Sequence, residues 1–289
     1  AKPAGETAVA VDHDSGFSIY DLPFPEMHYE LHIDHLNYHK YHLAAIDAKM
    51  HSKTNHYLYI DKLNMHAAGG EFKVNGYFSG VDKQHIYFRP TITMKHVNLD
   101  QLLFKFDNFG QDHLVSENLH GQLSGTLKGK IHMHADMTPK LDDSELHLDI
   151  EVLKGRLENY APMQSLAEYF QDKNLNKILF DSLVNKLDMK NGVLTIPRMG
   201  INTSLGYMEF SGSQDLKMNM EYYVSVPLGM VTQVGFKKLF GKKKEEVDPD
   251  QEDAVMYRDK EKKMRFITVK LTGNADNYSV ALSREKRHR

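Results

Sequence analysis

The chain of 289 residues is 41% hydrophobic and 26% charged, the balance of a folded protein that can bury a core across one or two domains. Its formal charge of −3, with a pI near 6.7, provides no field suited to a phosphate backbone and argues against nucleic acid as a partner. Cysteine is absent, which excludes disulfides and thiolate metal sites. No apolar run reaches the roughly 18–20 residues that a membrane-spanning helix needs.

Residues 1–26 carry Pro3, Asp12, Asp14, Ser15, Gly16, Pro23 and Pro25 with little periodicity and read as a linker or edge segment. The first residues are Ala1-Lys2-Pro3, which leaves room for an upstream signal or anchor. From Met27 a period of two begins, with Met27, Tyr29, Leu31 and Ile33 opposing His28, Glu30, His32 and Asp34. Similar strands are expected at about 41–50, 57–66, 71–80 and 85–97, separated by turn signals at Thr54-Asn55, Gly69-Gly70 and Asp82-Lys83. At Asn98 the period changes. Leu99, Leu102, Leu103 and Phe106 fit one face of a short helix, with Asn98 as N-cap.

The longest alternation runs from Leu119 to Thr138 and resumes from Leu146 to Val152, with a turn expected at 139–144. Leu119, Leu123, Leu127, Ile131 and Met133 fall on one face, joined by Leu146, Leu148 and Ile150 from the return strand, while glycines at 121, 125 and 129 share the apolar side. Pro162 suits the first turn of a second helix bearing Leu166, Tyr169 and Phe170, and Leu175, Ile178 and Leu179 fit another short helical turn. Asn191-Gly192 marks a tight hairpin. Further on, Leu216, Met218, Met220, Tyr222, Val224 and Val226 alternate cleanly up to Pro227. Residues 228–240 suggest an amphipathic helix, in which Phe236, Lys237, Lys238, Leu239 and Phe240 are candidates for contact with a membrane surface. The segment 241–263 reads as a charged mobile loop, and two last strands fit 264–272 and 277–283.

These signals predict an all-β protein with a few short helices: long antiparallel strands forming one elongated domain over 27–285. About a dozen amphipathic strands face too little helix to cover them. The apolar face either folds onto itself as a sandwich or curls into a groove filled by something other than protein, and lipid acyl chains would suit such a floor. The floor candidates are Leu119, Leu123, Leu127, Ile131, Met133, Leu146, Leu148, Ile150, Leu216, Met218, Met220, Tyr222, Val224 and Val226.

The order of segments over 119–227 supplies a resemblance. "GQLSGTLKGKI", "LDIEVLKGRLENYAPMQSLAEYF", "MKNGVLTIPRMGINTSLGYMEFSGSQDL" and "MNMEYYVSVPLGMV" follow one another as in the C-terminal region of the AsmA-like family of bacterial envelope proteins, and the meander over 27–110 is similar to that family's repeating strands. The resemblance implies a periplasmic β-groove protein, tethered to the inner membrane by an N-terminal helix not contained in this sequence, that handles phospholipid in outer-membrane biogenesis. It implies no enzyme and no cofactor, with acyl lipid, the inner-membrane surface and envelope-assembly proteins as partners. An envelope scaffold acting through protein contacts, without lipid cargo, is the alternative.

Catalytic and metal chemistry find little support. Seventeen histidines, including His28, His32, His35, His39 and His42 and the pair His132/His134, invite a metal reading. They lie on the polar side of their strands with no HExxH helix, and solvated surface is the plainer account. Neither a GxSxG elbow nor a phosphate loop occurs.

Overall fold

The computed structural model describes residues 18–38, 41–105, 116–164, 175–228, 255–258, 265–274 and 277–283. They form one antiparallel sheet of thirteen strands in which every strand pairs with its neighbours in sequence. The first five are β1 (Met27–Tyr38), β2 (Tyr41–Lys53), β3 (Tyr57–Ala67), β4 (Gly70–Ser79) and β5 (Tyr87–Asn98), followed by helix α1 (Leu99–Lys105). Next come β6 (Leu119–Met133), β7 (Pro139–Glu158), the single turn α2 (Ala161–Gln164), β8 (Lys177–Lys190) and β9 (Val193–Thr203). The sheet ends with β10 (Gly206–Asp215), β11 (Met220–Pro227), β12 (Phe266–Gly273) and β13 (Tyr278–Leu282). It is curled and not closed: β1 and β13 remain separate edges. At roughly 4.8 Å per strand its arc is about 58 Å wide.

Register carries the apolar face across the sheet without interruption. Ile60 of β3 sits opposite Met50 of β2, Val74 opposite both Leu63 and Ile92, and Leu127 opposite both Ile92 and Leu148. Leu148 then faces Leu187, Met189 faces Leu194, and beyond them Val224 faces Phe210 and Val269. Because side chains alternate between faces, this pairing puts the whole apolar set on one side.

Three expectations about boundaries are corrected. The β6–β7 turn lies at 134–138, where the His134 amide donates to the Thr138 carbonyl (2.8 Å) and Met137 adopts φ 70°, rather than at 139–144. Residues 141–144 instead bulge out of β7 between the pairs Lys130↔Glu145 and His132↔Lys140. Ser144 pins the bulge: its Oγ accepts from the His132 amide (2.9 Å) and donates to the Lys140 carbonyl (2.5 Å). Ile178 and Leu179, expected in a helical turn, open β8 because they pair with Leu157 and Arg156. Leu216 and Met218 leave the sheet for the β10–β11 turn, where Asp215 accepts from both the backbone and side-chain nitrogens of Asn219 (2.8 Å each) and Met218 has φ 66°.

Residues 18–26 are fastened rather than loose. A 3₁₀ turn at Ile19–Asp21 buries Ile19, the Ile19 amide donates to the Ala135 carbonyl (3.0 Å), and the Tyr20 hydroxyl donates to the Gly80 carbonyl (2.7 Å). Helix α1 begins at the expected residue and buries Leu99, Leu102 and Leu103. Phe106, Leu166, Tyr169, Phe170, residues 229–254 and residues 259–264 lie outside the described residues, as do Phe236, Lys237, Lys238, Leu239 and Phe240.

Between β8 and β9 the pairing is confined to the two ends, with Phe180↔Thr203 at one and Asp188↔Thr195 to Lys190↔Val193 at the other. Pro197, which has no amide hydrogen, lies in the interval, and the Asn185 side chain donates to its carbonyl (2.9 Å). The two strands therefore share a register but not a continuous ladder.

The glycines of β6 have a backbone role. A Cβ at Gly129 would run into the Glu145 carbonyl oxygen and come to 2.9 Å of Leu146 Cα on the neighbouring strand. Strand approach, rather than a packed helix or a smooth floor, fixes glycine here. Gly129→Ala is expected to cost about 1–3 kcal/mol through overpacking, lowering the melting temperature by several degrees; an unchanged melt would show that the β6–β7 approach is not tight.

Candidate functional site

The sheet's apolar face is covered unevenly. One cluster joins Leu102 of α1 to Phe72, Met94, Val97, Leu123, Val152 and Phe180. A second buries Met220, Tyr222, Val224 and Val226 against Leu175, Ile178, Leu205 and Met208. The third is small: Ile19 packs on Phe78 and Ile86 at the end of the sheet where β4 meets β5.

Between these clusters runs a track that belongs to none of them. Met50, Ile60, Leu63, Val74, Leu127, Ile131, Leu148, Leu187, Met189 and Leu194 are all half-buried; the cross-strand register carries them from β2 to β9, with Ile92 of β5, which packs on the α1 cluster, standing between Val74 and Leu127. Seven strand spacings give the track a span of about 34 Å. Among the described residues, α1 makes its substantial contacts with β5 and β6 only. If an aliphatic side chain left at most a third exposed retains a few tenths of a kcal/mol of unrealised burial, covering the ten would yield on the order of a few kcal/mol, a sizeable share of a domain's net stability of about 5–15 kcal/mol.

The structure divides the sequence-based floor candidates into four groups. Leu127, Ile131 and Leu148 lie on the track, and Leu119, Ile150 and Met133 flank the clusters beside it. Leu123, Leu146, Met220, Tyr222, Val224 and Val226 are buried by protein, Val226 completely at 0% exposed. Leu216 is 47% exposed in its turn, and Met218 accompanies it off the sheet. Met50, Ile60, Leu63, Val74, Leu187, Met189 and Leu194 were missed as floor residues by sequence reasoning, which marked the Asn191-Gly192 turn but not the alternation on either side of it.

The opposite face is polar and knit by cross-strand ion pairs. Lys49 meets Glu30 (2.9 Å), Lys190 meets Glu145 (3.1 Å), Lys186 meets Asp149 (3.1 Å), and Lys270 meets Glu221 (2.9 Å). Its histidines engage carboxylates, as in His51–Asp61 (2.8 Å) and His147–Asp188 (2.5 Å). Among the described residues no group of three or more histidines and carboxylates is placed to hold a metal ion. A concavity of about 430 Å³ bounded by Asn202, Tyr207, Tyr257 and Arg258 lies away from the track. The apolar track offers burial of a long hydrocarbon.

No family model matches the chain, and no curated protein or solved structure is significantly similar to it. Among the described residues, no helix is long and apolar enough to cross a membrane.

Two phenols report how dry the protein-covered end is. Burial, with a smaller contribution from Tyr278, pushes Tyr160 up to about 12. Burial, then proximity to Tyr160, raises Tyr222, whose hydroxyl donates to Gln214 Oε1. Both are neutral when folded, so their contribution to stability is intact below the ordinary phenol value of about 10 and is lost as pH rises through the folded values. In a spectrophotometric titration the tyrosinate absorbance at pH 11 is expected to fall short of the fifteen tyrosines by at least these two. Simultaneous ionisation of all of them near pH 10 would mean that this end is open to water.

Proposed function

We propose that the chain is a non-enzymatic envelope protein that holds or shuttles phospholipid acyl chains along the apolar track, in the service of outer-membrane biogenesis. The observation that carries this reading is a half-buried hydrocarbon surface that runs from β2 to β9, about 34 Å at the usual strand spacing, and lies outside the three protein-covered clusters except at Ile92 of β5. A bilayer's hydrocarbon core is about 30 Å for two leaflets, so one acyl chain, or two end to end, fits the track. The resemblance of 119–227 to AsmA-like proteins supports the same reading. With it come a periplasmic location and an N-terminal inner-membrane tether as parts of the proposal.

A scaffold without cargo is the second reading, favoured by one specific feature. β1 is a twelve-residue edge strand whose Met27, Leu31 and Leu36 are exposed. Such an edge invites pairing with another strand.

Lipid extraction and native mass spectrometry of protein purified without detergent test the first reading. Leu127→Glu, on the track, is expected to fold and to lose bound lipid, because the carboxylate reaches water once the chain has left. Leu123→Glu, beneath α1 at 7% exposed, is expected to lose several kcal/mol through an unpaired buried charge and to unfold. Lipid-free parent protein, or a Leu127→Glu variant that unfolds like Leu123→Glu, would refute the track as a lipid site.

A further inference from the structure

The polar face carries a feature that cargo binding does not use. Along one end of the sheet, rings from six consecutive strands stand side by side: His28–His51 (5.6 Å between centroids), His51–Tyr59 (4.7 Å), Tyr59–Tyr77 (5.8 Å), Tyr77–Tyr87 (6.0 Å) and Tyr87–His132 (6.3 Å). Every one lies within three residues of a strand end, hence within about 10 Å of the loops at that rim. The first two pairs are close to parallel, at 22° and 6°, so their faces are spent on each other. What the ladder presents outward is edges and hydroxyls, which cannot stack on nucleobases but can hydrogen-bond ester and phosphate oxygens.

Cations accompany the rings. Lys53 lies over Tyr59 (5.3 Å), Lys130 over Tyr87 (4.5 Å), Arg89 beside Tyr87 (5.9 Å) and Lys83 over Tyr20 (4.8 Å). None of the four has an ion-pair partner among the described residues. β5 and β6 contain no Asp or Glu at all, while adding Lys95 and Lys128 to Arg89 and Lys130. The bordering carboxylates are engaged, Asp61 by His51, Asp82 by His85 and Glu145 by Lys190. Asp21, Asp136, Asp142 and Asp143 sit in the loops and in the β7 bulge, so the positive surface is the sheet side of the rim rather than its tips. Three of those loops expose apolar residues: Leu22 (51%), Val81 (50%) and Met137 (39%). The Ile19–Ala135 and Tyr20–Gly80 hydrogen bonds tie the three loops together.

A belt of tyrosines with unpaired cations on one side and exposed aliphatics on the other is the composition of a bilayer interface. We propose that this rim docks the protein peripherally on an anionic phospholipid surface. Leu22, Val81 and Met137 enter the headgroup region, the Tyr–His ladder lies at its level, and Lys53, Arg89 and Lys130 meet the lipid phosphates. The docking stands whether or not the opposite face carries cargo.

The chain has no tryptophan, so a Val81→Trp variant carries a single reporter. With vesicles of phosphatidylglycerol and phosphatidylcholine its emission is expected to shift to the blue and to be quenched by brominated acyl chains. A Val184→Trp variant, at a site 65% exposed in mid-strand on β8, should show neither change. Replacing Lys53, Arg89 and Lys130 together by Gln should weaken flotation of the otherwise unaltered chain roughly a hundredfold while its circular dichroism and melt stay unchanged. Flotation equal to the parent's would overturn the proposal and place any binding elsewhere. Charge-dependent binding without a blue shift in the Val81→Trp variant would overturn it too, pointing to an acidic soluble partner. Cargo is read separately, from lipid extracted before vesicles are added, so failure of one proposal is distinguishable from failure of the other.

Discussion

The structure depends on strictly sequential antiparallel pairing. Each strand hydrogen-bonds only to the strands before and after it in the chain, and register is held so that aliphatic meets aliphatic from β1 to β13. Given this constraint, backbone hydrogen bonding is largely satisfied within the sheet, the β8–β9 interval and the outer edges of β1 and β13 apart, while burial is not: a single layer has two faces and can hide neither without help. The protein supplies partial help in three places, from α1, from the residues around Leu175 and Leu205, and from Ile19. The unmet remainder is the apolar track, and its existence follows from topology rather than from any special residue.

The polar face solves a different problem. Long cross-strand rows of lysine would repel one another, and the sequence alternates them with carboxylates and histidines so that Lys49 meets Glu30, Lys186 meets Asp149 and His147 meets Asp188. These pairs are exposed and contribute little to stability individually. Their value is in register, because a one-residue slip would oppose like charges as well as turn the apolar set outward. β5 and β6 carry no carboxylate of their own, and among the described residues Arg89 and Lys130 make no ion pair.

Much of this was legible in the sequence because period-two alternation is strong when one face of a strand is apolar over ten residues or more. The first five strands and the last two follow from it, α1 from the change of period at Asn98, and the hairpin at Asn191-Gly192 from its turn residues. The misreadings have physical causes. A proline and two aspartates at 139–143 read as a turn, yet a bulge pinned by Ser144 absorbs them while the chain reverses at 134–138, where only Met137's positive φ marks the place. Leu216 and Met218 continue the alternation of β11, but Asp215 closes a tight loop on Asn219 and takes both off the sheet. Ile178 and Leu179 fit a helix by spacing; pairing with β7 outweighs that local preference. As for the site, alternation marked Leu127, Ile131 and Leu148 but could not separate residues that protein covers from those it leaves open, since that depends on where short helices and turns land; Ile60 and Leu63, three residues apart, share a face only through the register shift between them.

Sequential pairing has a kinetic corollary. Among the described residues, the substantial contacts between elements join each strand to the next and α1 to β5 and β6, its neighbours in sequence. For so large an all-β protein this is unusually local, because the slow folding of β-proteins comes from closing long loops before distant strands meet. Here each hairpin can template the next, so folding can start at any well-formed pair and spread along the chain as in a repeat array. The weakest rung for such propagation is between β8 and β9, where the ladder lapses through Pro197. Nuclei formed on either side would have to be joined across it.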